Sequence, residues 1–287
     1  MRINLKVLWI SVLLCPLFAM VQVDSIKVLS WNVFLRPAIL NDNQLDRVQG
    51  ISDYLVASNA DVVILQEVFH RKARKQLTES LKNTYPYHTK KGPVSFWGVS
   101  SGVVLYSKFP FLKEKKISFK KSMGADKLAK KGLVVSLVKI KSKEVYIVGT
   151  HLQAGSEEKF RKIRKNQIKT LANSIKNIDS SKVVLYAGDF NFTPETELFS
   201  SLDAVLDVAA PKLDSSILAT ANFQDQELFP VIGKPVWIDF IFLRRTQFAK
   251  QRRTWIEEPR FKFQGKRRRI SDHNPIISVF EINEINY

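Results

Sequence analysis

Residues 183–191 read VVLYAGDFN, and this stretch decides the fold class. An apolar run leads through Gly188 into Asp189 and Asn191. A short run that is apolar at every position is typical of a strand covered on both faces. The sequence therefore predicts a buried strand that delivers polar groups to one edge of a sheet.

Similar runs predict further strands at residues 26–31, 61–65, 102–106, 133–140, 145–150, 237–242 and 276–280. Helical spacing of apolar residues predicts amphipathic helices near residues 45–55, 71–81 and 157–178. Strands of this kind need cover on both faces, here from helices and from a second sheet. Since the chain shows no repeat or Gly/Ser linker, we expect one compact α/β domain.

The chain is strongly basic, with a net charge of +18 over 287 residues. This excess suits an anionic partner such as nucleic acid, a phosphorylated ligand or an acidic membrane surface, and does not choose among them. Cys15 is the single cysteine, which excludes an intrachain disulfide framework and a cysteine-based zinc site.

The N-terminal segment has the pattern of a secretory signal peptide. Arg2 and Lys6 precede an apolar run over residues 7–21 that is short and interrupted for a membrane span. We expect a signal peptide at residues 1–23 and a catalytic domain at residues 24–287, in a protein that is secreted, periplasmic or at the cell surface. The alternative is a retained N-terminal anchor.

Polar side chains occur at or just beyond the ends of several predicted strands. They are carboxylates, amides and imidazoles: Asn32, Glu67, His151, Asp189, Asn191, Asp239, Asp272 and His273. Oxygen-rich groups without a competing cysteine favour a hard divalent cation. The sequence therefore predicts a metal-dependent site, provided that the fold brings these strand ends together.

Six short motifs occur in one order along the chain: WN at 31–32, QEV at 66–68, THL at 150–152, GDFN at 188–191, IDF at 238–240 and SDHNP at 271–275. This set resembles the endonuclease/exonuclease/phosphatase superfamily. The resemblance implies a DNase I-like fold, a four-layer α/β sandwich with two central mixed β-sheets flanked by helices. It also implies cleavage of phosphate esters with Mg²⁺, for which Mn²⁺ or Co²⁺ would substitute.

Finer features are similar to the neutral sphingomyelinases. These are EVF at 67–69, HLQA at 151–154 and GADKLAKKG at 124–132, in which Asp126 and Lys131 have the spacing of that branch. The resemblance implies hydrolysis of sphingomyelin to ceramide and phosphocholine. The alternatives are a DNase I-like nuclease, a phosphoinositide or other lipid phosphatase, and a catalytically inactive binding protein.

The resemblance and the chemistry together suggest roles for these residues. Glu67 and Asn32 would hold the metal ion. His273, oriented by Asp272, would be the general base. Asp189 would activate the water, and Asn191 would orient the phosphate. His151 with Asp239 would hydrogen-bond to the phosphate or to the leaving group. Asp126 and Lys131 would place a charge near the site.

Two segments of the sequence could contact a membrane. Residues 250–269 are basic and poor in aromatics where bacterial relatives often carry an aromatic-rich hairpin, so we expect docking by charge through Lys266–Arg269. Residues 95–99, with Phe96 and Trp97, are either a lipid-contacting loop or buried under the sheet. The expected partner is a sphingomyelin-containing membrane, with anionic lipids as a further contact and nucleic acid less favoured, for a protein that acts as a monomer.

Overall fold

The computed structural model describes residues 24–40, 42–140, 143–222 and 233–283. The expected signal peptide at residues 1–23 lies outside the described residues. The strands are β1 (Asp24–Asn32), β2 (Val62–Gln66), β3 (Tyr87–His88), β4 (Val104–Ser107), β5 (Phe111–Ser118), β6 (Gly132–Ile140), β7 (Lys143–His151), β8 (Val183–Asp189), β9 (Asp239–Leu243), β10 (Ala249–Ile256), β11 (Arg260–Phe263), β12 (Lys266–Arg269) and β13 (Ile276–Ile282).

The helices are α1 (Gln44–Ser58), α2 (Arg71–Leu81), α3 (Glu158–Ile175), α4 (Glu197–Ser200) and α5 (Leu202–Leu206). Short 3₁₀ turns occupy Ala38–Leu40 and Gly124–Leu128. None of the helices in the described ranges is both long and apolar enough to cross a membrane.

Two mixed sheets form the centre of the molecule. The six-stranded sheet has the order β10-β13-β1-β2-β4-β3, and the five-stranded sheet has the order β5-β6-β7-β8-β9. Within them β1 pairs with β2 in parallel and β7 pairs with β8 in parallel, whereas the other pairs are antiparallel. A separate hairpin, β11–β12, precedes the last strand.

Three apolar layers hold the four-layer α/β/β/α sandwich together. The layer between the sheets includes Ile64, Leu105 and Leu185. The outer face of the six-stranded sheet packs residues such as Trp31 and Leu65 against α1 and α2. The outer face of the five-stranded sheet packs aromatic residues against α3, α4 and α5. The predicted fold class is thus confirmed.

The chain direction places one end of each central strand at the same rim. Strands β1, β2, β7 and β8 all end there, and β9 begins there because its residue Asp239 pairs with Asp189 at the end of β8. His151 pairs with Asp189 from the other side. This rim therefore collects the polar residues that follow the strands.

Gly188 makes the approach of β7 and β8 possible at this rim. Its φ is +153°, and a Cβ atom there would lie 2.0 Å from the carbonyl oxygen of Thr150. A side chain at this position would separate the strands that carry His151 and Asp189.

Candidate active site

Asp189 lies at the centre of the rim cluster. Its Oδ2 accepts a hydrogen bond from Asn32 Nδ2 at 3.1 Å and lies 3.4 Å from His151 Nε2 and 3.9 Å from His273 Nε2. The side chain is buried, and burial together with the charge of Asp239 raises its pKa to about 7. Side chains from three separate parts of the chain therefore converge on one carboxylate.

Glu67 joins the same cluster through Asn32. Asn32 Nδ2 donates to Glu67 Oε1 at 3.2 Å as well as to Asp189, so one amide links the two carboxylates. Glu67 is half-buried and has a left-handed backbone with φ of +57°. A non-glycine residue in this conformation at a polar cluster is typical of functional sites, where packing holds a strained backbone. The structure thus brings the two predicted metal ligands together.

His273 is oriented by Asp239 and not by Asp272, which corrects the prediction from sequence. Its Nδ1 hydrogen-bonds to Asp239 Oδ2 at 2.8 Å. Asp272 instead accepts a hydrogen bond from the Ser271 hydroxyl at 3.3 Å. Burial alone would lower the pKa of His273, but the charge and hydrogen bond of Asp239, with the charges of Asp272 and Asp189, raise it to about 10.

Asp272 is a buried carboxylate beside the cluster. Burial raises its pKa to about 6; the charge of His273 opposes this rise and the charge of Glu67 adds to it. Adjacent residues in a chain point in different directions unless a turn aligns them. The neighbour of His273 in sequence is therefore not its partner in space.

His151 contacts Lys131 and Asp189. Lys131 Nζ lies 3.0 Å from His151 Nε2 and 2.9 Å from Asp126 Oδ2. Burial, followed by the positive charges of Lys131 and His273, lowers the pKa of His151 well below its usual value. An ammonium group that donates to Nε2 leaves the ring proton on Nδ1. His151 is thus a neutral imidazole next to a buried cation.

His151 and Asp239, which are predicted to act together, have different hydrogen-bond partners. Asp239 is engaged with His273, while His151 is engaged with Lys131. The two residues lie on either side of Asp189, to which both are paired in register. Their joint action on a phosphate or a leaving group stays a prediction.

The segment that contains Asp126 and Lys131 is hydrogen-bonded to the residues that follow His151 at the end of β7. Asp126 Oδ2 accepts a hydrogen bond from the backbone N–H of Ala154 at 2.8 Å, and Lys131 Nζ donates to the carbonyl of Leu152 at 2.9 Å. Gln153 adds two hydrogen bonds to the backbone of Met123. These contacts place the charge of Lys131 beside His151, and the role of this charge in the reaction stays a prediction.

Asn191 hydrogen-bonds to the carboxylate of Asp189 at the centre of the cluster. Its backbone N–H donates to Asp189 Oδ1 at 2.9 Å, and its side chain donates to the carbonyl of Leu152 at 3.2 Å. Like Glu67 it has a left-handed backbone, with φ of +56°. Its predicted contact with a phosphate group stays a prediction.

A metal ion would find suitable ligands in this cluster. Asp189, Asp239 and His273 offer ligand atoms that lie within 4.8 Å of one another. Asp239 Oδ1 is buried and has no hydrogen-bond partner among the described residues, which is costly unless a ligand satisfies it. Crowded carboxylates with an unsatisfied oxygen fit a hard divalent cation.

Sequence reasoning misses two residues that hold the site loops in place. Arg47, on α1, is fully buried and donates to the carbonyls of Val33, Phe34 and Ile270. The Ser271 hydroxyl donates to the carbonyl of Asn32 at 2.7 Å. The sequence does carry a signal for Arg47, because a charged residue on the apolar stripe of a helix must find polar partners inside.

The basic segment before the last strand is partly exposed and partly packed, and docking by charge through it stays a prediction. It contains strand β10 and the short hairpin β11–β12, and Phe261 and Phe263 of that hairpin pack against Phe34. Arg269 is buried and donates to the side-chain oxygen of Asn274 at 2.8 Å. Lys266–Arg269 is therefore not a uniformly exposed basic surface.

The two alternatives for residues 95–99 are resolved in favour of exposure. Phe96 is 95% exposed and Trp97 is 66% exposed. The segment is a turn between β3 and β4, and does not lie under the sheet.

Residues 29–273 match the Endonuclease/Exonuclease/phosphatase family, and the chain therefore belongs to it. A protein named Sphingomyelinase C from Leptospira interrogans is 30% identical over 250 residues, which cover 78% of this chain and 45% of that protein. A protein named Phospholipase C from Staphylococcus aureus is 30% identical over 246 residues, covering 76% of this chain and 73% of the other.

A solved structure adds to these similarities in sequence. A double mutant of beta toxin from Staphylococcus aureus, with bound magnesium ions, superposes with a TM-score of 0.78 at 26% identity, over 91% of this chain and all of the other. The chain spans less than half the length of the Leptospira relatives that it matches.

Proposed function

We propose that this protein is a secreted, Mg²⁺-dependent phosphodiesterase that hydrolyses sphingomyelin to ceramide and phosphocholine. One observation carries the proposal: Asn32, Glu67, His151, Asp189, Asp239 and His273 converge at one rim of the sandwich. The similarity to proteins named sphingomyelinase C, and the presence of the Asp126–Lys131 segment at the site, favour this branch of the family.

Glu67 and Asn32 would hold the metal ion, as the sequence predicts, and we add Asp189 and Asp239, two of the three residues whose ligand atoms lie within 4.8 Å of one another, as further oxygen ligands. A bound Mg²⁺ supplies positive charge that shields the phosphate and stabilises the charge developed during displacement. The chain provides the carboxylates, and Asn32 sets the distance between Glu67 and Asp189 by donating to both. The magnesium ions in the solved relative support the choice of metal.

His273 is the proposed general base. Asp239 fixes the ring through Nδ1, so that Nε2 points toward Asp189 at 3.9 Å and accepts the proton of the attacking water. The raised pKa reflects the nearby carboxylates. Neutralising those carboxylates with a bound cation lowers this pKa toward the range in which an imidazole acts as a base.

His151 and Lys131 are placed to help the leaving oxygen. His151 Nδ1 is buried and has no hydrogen-bond partner among the described residues, whereas Nε2 is the ring atom that faces Lys131 and Asp189. Burial, followed by the positive charge of Lys131, lowers the pKa of this imidazole and keeps it neutral, and the Lys131 ammonium group would add positive charge beside the leaving oxygen. Water attacks phosphorus and gives a proton to His273, and the ceramide oxygen takes a proton from the Lys131 ammonium group as the phosphorus–oxygen bond breaks.

A nuclease of the same fold is the second candidate, favoured by the net charge of +18. A substrate panel with the purified protein separates the two. We expect Mg²⁺-dependent release of phosphocholine from sphingomyelin, with slower or no turnover of phosphatidylcholine, lysolipids, phosphoinositides and plasmid DNA. Cleavage of DNA without hydrolysis of sphingomyelin would overturn the proposal in favour of the nuclease.

Export is part of the same proposal, and it rests on the charged and apolar pattern of residues 1–23. We expect cleavage before Asp24, which would remove two positive charges. Mass spectrometry of the protein recovered from the culture medium of its host tests this expectation. Recovery of protein beginning at Met1 from the soluble cytoplasm would contradict it.

A further inference from the structure

An exposed pair of aromatic side chains lies beside the candidate active site. Phe96 and Trp97 are 95% and 66% exposed and contact each other edge to face at a centroid distance of 5.3 Å. Single exposed apolar residues are common on protein surfaces, but two adjacent large aromatics project more apolar area than a solvated turn needs.

The turn that presents these rings is tightly closed. Gly98 N donates to the carbonyl of Ser95, and Ser95 N donates to the carbonyl of Val99 at 2.8 Å. Gly98 has a φ of +73°, and a Cβ there would meet no atom within 4 Å. Two backbone hydrogen bonds thus close the turn, while the side chains of Phe96 and Trp97 are exposed.

The same turn is attached to segments that carry site residues. The Ser95 hydroxyl donates to the carbonyl of Leu128, and Lys130 N donates to the carbonyl of Val99, which fixes the turn to the segment of Asp126 and Lys131. After the turn, the carbonyl of Gly102 accepts a hydrogen bond from Val68 N, next to Glu67. The aromatic pair therefore has a defined position relative to the site.

Further exposed apolar residues lie on neighbouring loops of the same rim. Ile39 is 91% exposed and Leu40 is 48% exposed on the turn that follows Asn32, and Leu128 is 52% exposed beside Asp126. By contrast, Leu112 is the second residue of β5 and lies at the opposite end of the five-stranded sheet. Three separate loops at the rim of the site thus carry exposed apolar side chains.

Positive charges lie on this rim beside the apolar tips. Lys120, Lys127 and Lys130 are exposed and line a shallow cavity together with Phe96. Aromatic rings favour the interfacial region of a bilayer, and each lysine near an anionic membrane surface contributes about 1 kcal/mol of attraction. An exposed aromatic side chain with lysines beside it matches the chemistry of an anionic bilayer surface.

We propose that Ile39, Leu40, Phe96, Trp97 and Leu128, with the lysines beside them, form a docking surface for an anionic lipid bilayer. The rings enter the headgroup region and hold the opening of the site against the membrane. This inference rests on the proposed function only in taking a membrane lipid as the substrate. It places the docking surface on the turn between β3 and β4, because the aromatics of the β11–β12 hairpin are packed against Phe34.

The test compares the double variant F96S/W97S with the control V56S/L112S, which removes two exposed apolar side chains from α1 and β5. Binding is measured by sedimentation with vesicles of sphingomyelin and phosphatidylserine. We expect F96S/W97S to bind roughly tenfold or more weakly, because two large side chains no longer enter the interface. The control variant binds as the wild type does. Equal binding of F96S/W97S and wild type would overturn the docking surface.

A second pair of measurements examines charge and separates docking from catalysis. The variant K120Q/K127Q loses affinity for the same vesicles at low salt and less at high salt, since salt screens exposed charges. F96S/W97S hydrolyses sphingomyelin in detergent micelles at the wild-type rate. One outcome supports the docking surface and contradicts the proposed function. In it, the wild-type protein binds vesicles, F96S/W97S does not, and the wild-type protein hydrolyses no lipid. Equal loss of activity in vesicles and micelles, with vesicle binding unchanged, would contradict the docking surface.

Discussion

At the scale of single residues, the proposed base His273 is oriented by Asp239, which hydrogen-bonds to its Nδ1 atom. The two residues are 34 positions apart in the sequence. We expect His273→Ala to lower turnover by about 10²- to 10⁴-fold, the usual contribution of a positioned general base. Glu67→Gln should lower turnover as well, by weakening the binding of the metal ion.

His88→Ala is the matched control, because His88 is exposed and its ring nitrogen contacts only a backbone carbonyl in the described hydrogen bonds. Turnover with Mg²⁺ and thermal unfolding are measured for each variant. Wild-type rates in His273→Ala or Glu67→Gln, with unchanged unfolding, would place the site elsewhere.

Arg47 gives a prediction about stability at the same scale. Replacing Arg47 with Met leaves the carbonyls of Val33, Phe34 and Ile270 buried without their donor, so we expect a loss of about 3 kcal/mol in the free energy of unfolding. Arg71→Met, an exposed position on α2, should change it by less than about 0.5 kcal/mol. Urea denaturation measures both, and equal values for the two variants would contradict this role of Arg47.

The sequence suffices to find the residues that meet at the candidate site but not their pairings. Asn32, Glu67, Asp189 and His273 each lie at or near the end of an apolar run or a motif, and a rim of strand ends is implied by that pattern. The partner of His273 depends on where β9 lies relative to the loop before β13, which no local pattern encodes. Adjacency in the chain favours Asp272, whereas the register of β8 and β9 places Asp239 beside Asp189.

At the scale of elements, the strong apolar patterns predict their strands and helices with shifts of one to a few residues at the ends. Helix α3 begins at Glu158 and ends at Ile175, three residues short of the predicted end at 178. The sequence does not predict the two-residue β3, nor β5, β10, β11 and β12. The last four are rich in Lys and Arg and are partly exposed, because they lie at sheet edges or in a separate hairpin. Charged edge strands lack the apolar pattern that marks a strand in sequence.

Gly102 lies in the loop that supports Glu67, and its conformation predicts the stability cost of replacing it. Its φ is +74°, and a Cβ would lie 2.5 Å from the ring of Phe69. Gly265, in the turn of the β11–β12 hairpin, has a φ of +80° with no atom within 4 Å of its Cβ position. Gly265→Ala should therefore cost only backbone strain of about 1 kcal/mol, whereas Gly102→Ala adds a steric clash and should cost roughly 1–3 kcal/mol more.

Denaturant unfolding of the two glycine variants gives this comparison directly. Equal destabilisation would mean that the ring of Phe69 moves aside without cost. A larger loss in Gly102→Ala, together with a lower turnover, would link the packing of this loop to the position of Glu67.

At the scale of the whole molecule, the two sheets bring carboxylates, imidazoles and a buried lysine to one rim, and the outer loops of that rim carry exposed apolar tips. The net charge of +18 suggests an anionic partner without identifying it. The structure shows where some of this charge lies, because exposed lysines line one cavity with Phe96 and with Lys131 of the candidate site.

The most direct measurement is the release of phosphocholine from sphingomyelin in detergent micelles by the purified protein. Micelles remove any need for docking, so the assay reports on the catalytic rim alone. We predict turnover with Mg²⁺, loss of turnover in excess EDTA, recovery when Mg²⁺ is added back, and no recovery for Glu67→Gln at the same Mg²⁺ concentration. Full turnover in EDTA after exhaustive dialysis, or no release of phosphocholine under any of these conditions, would contradict the assignment of this rim as a metal-dependent sphingomyelin phosphodiesterase site.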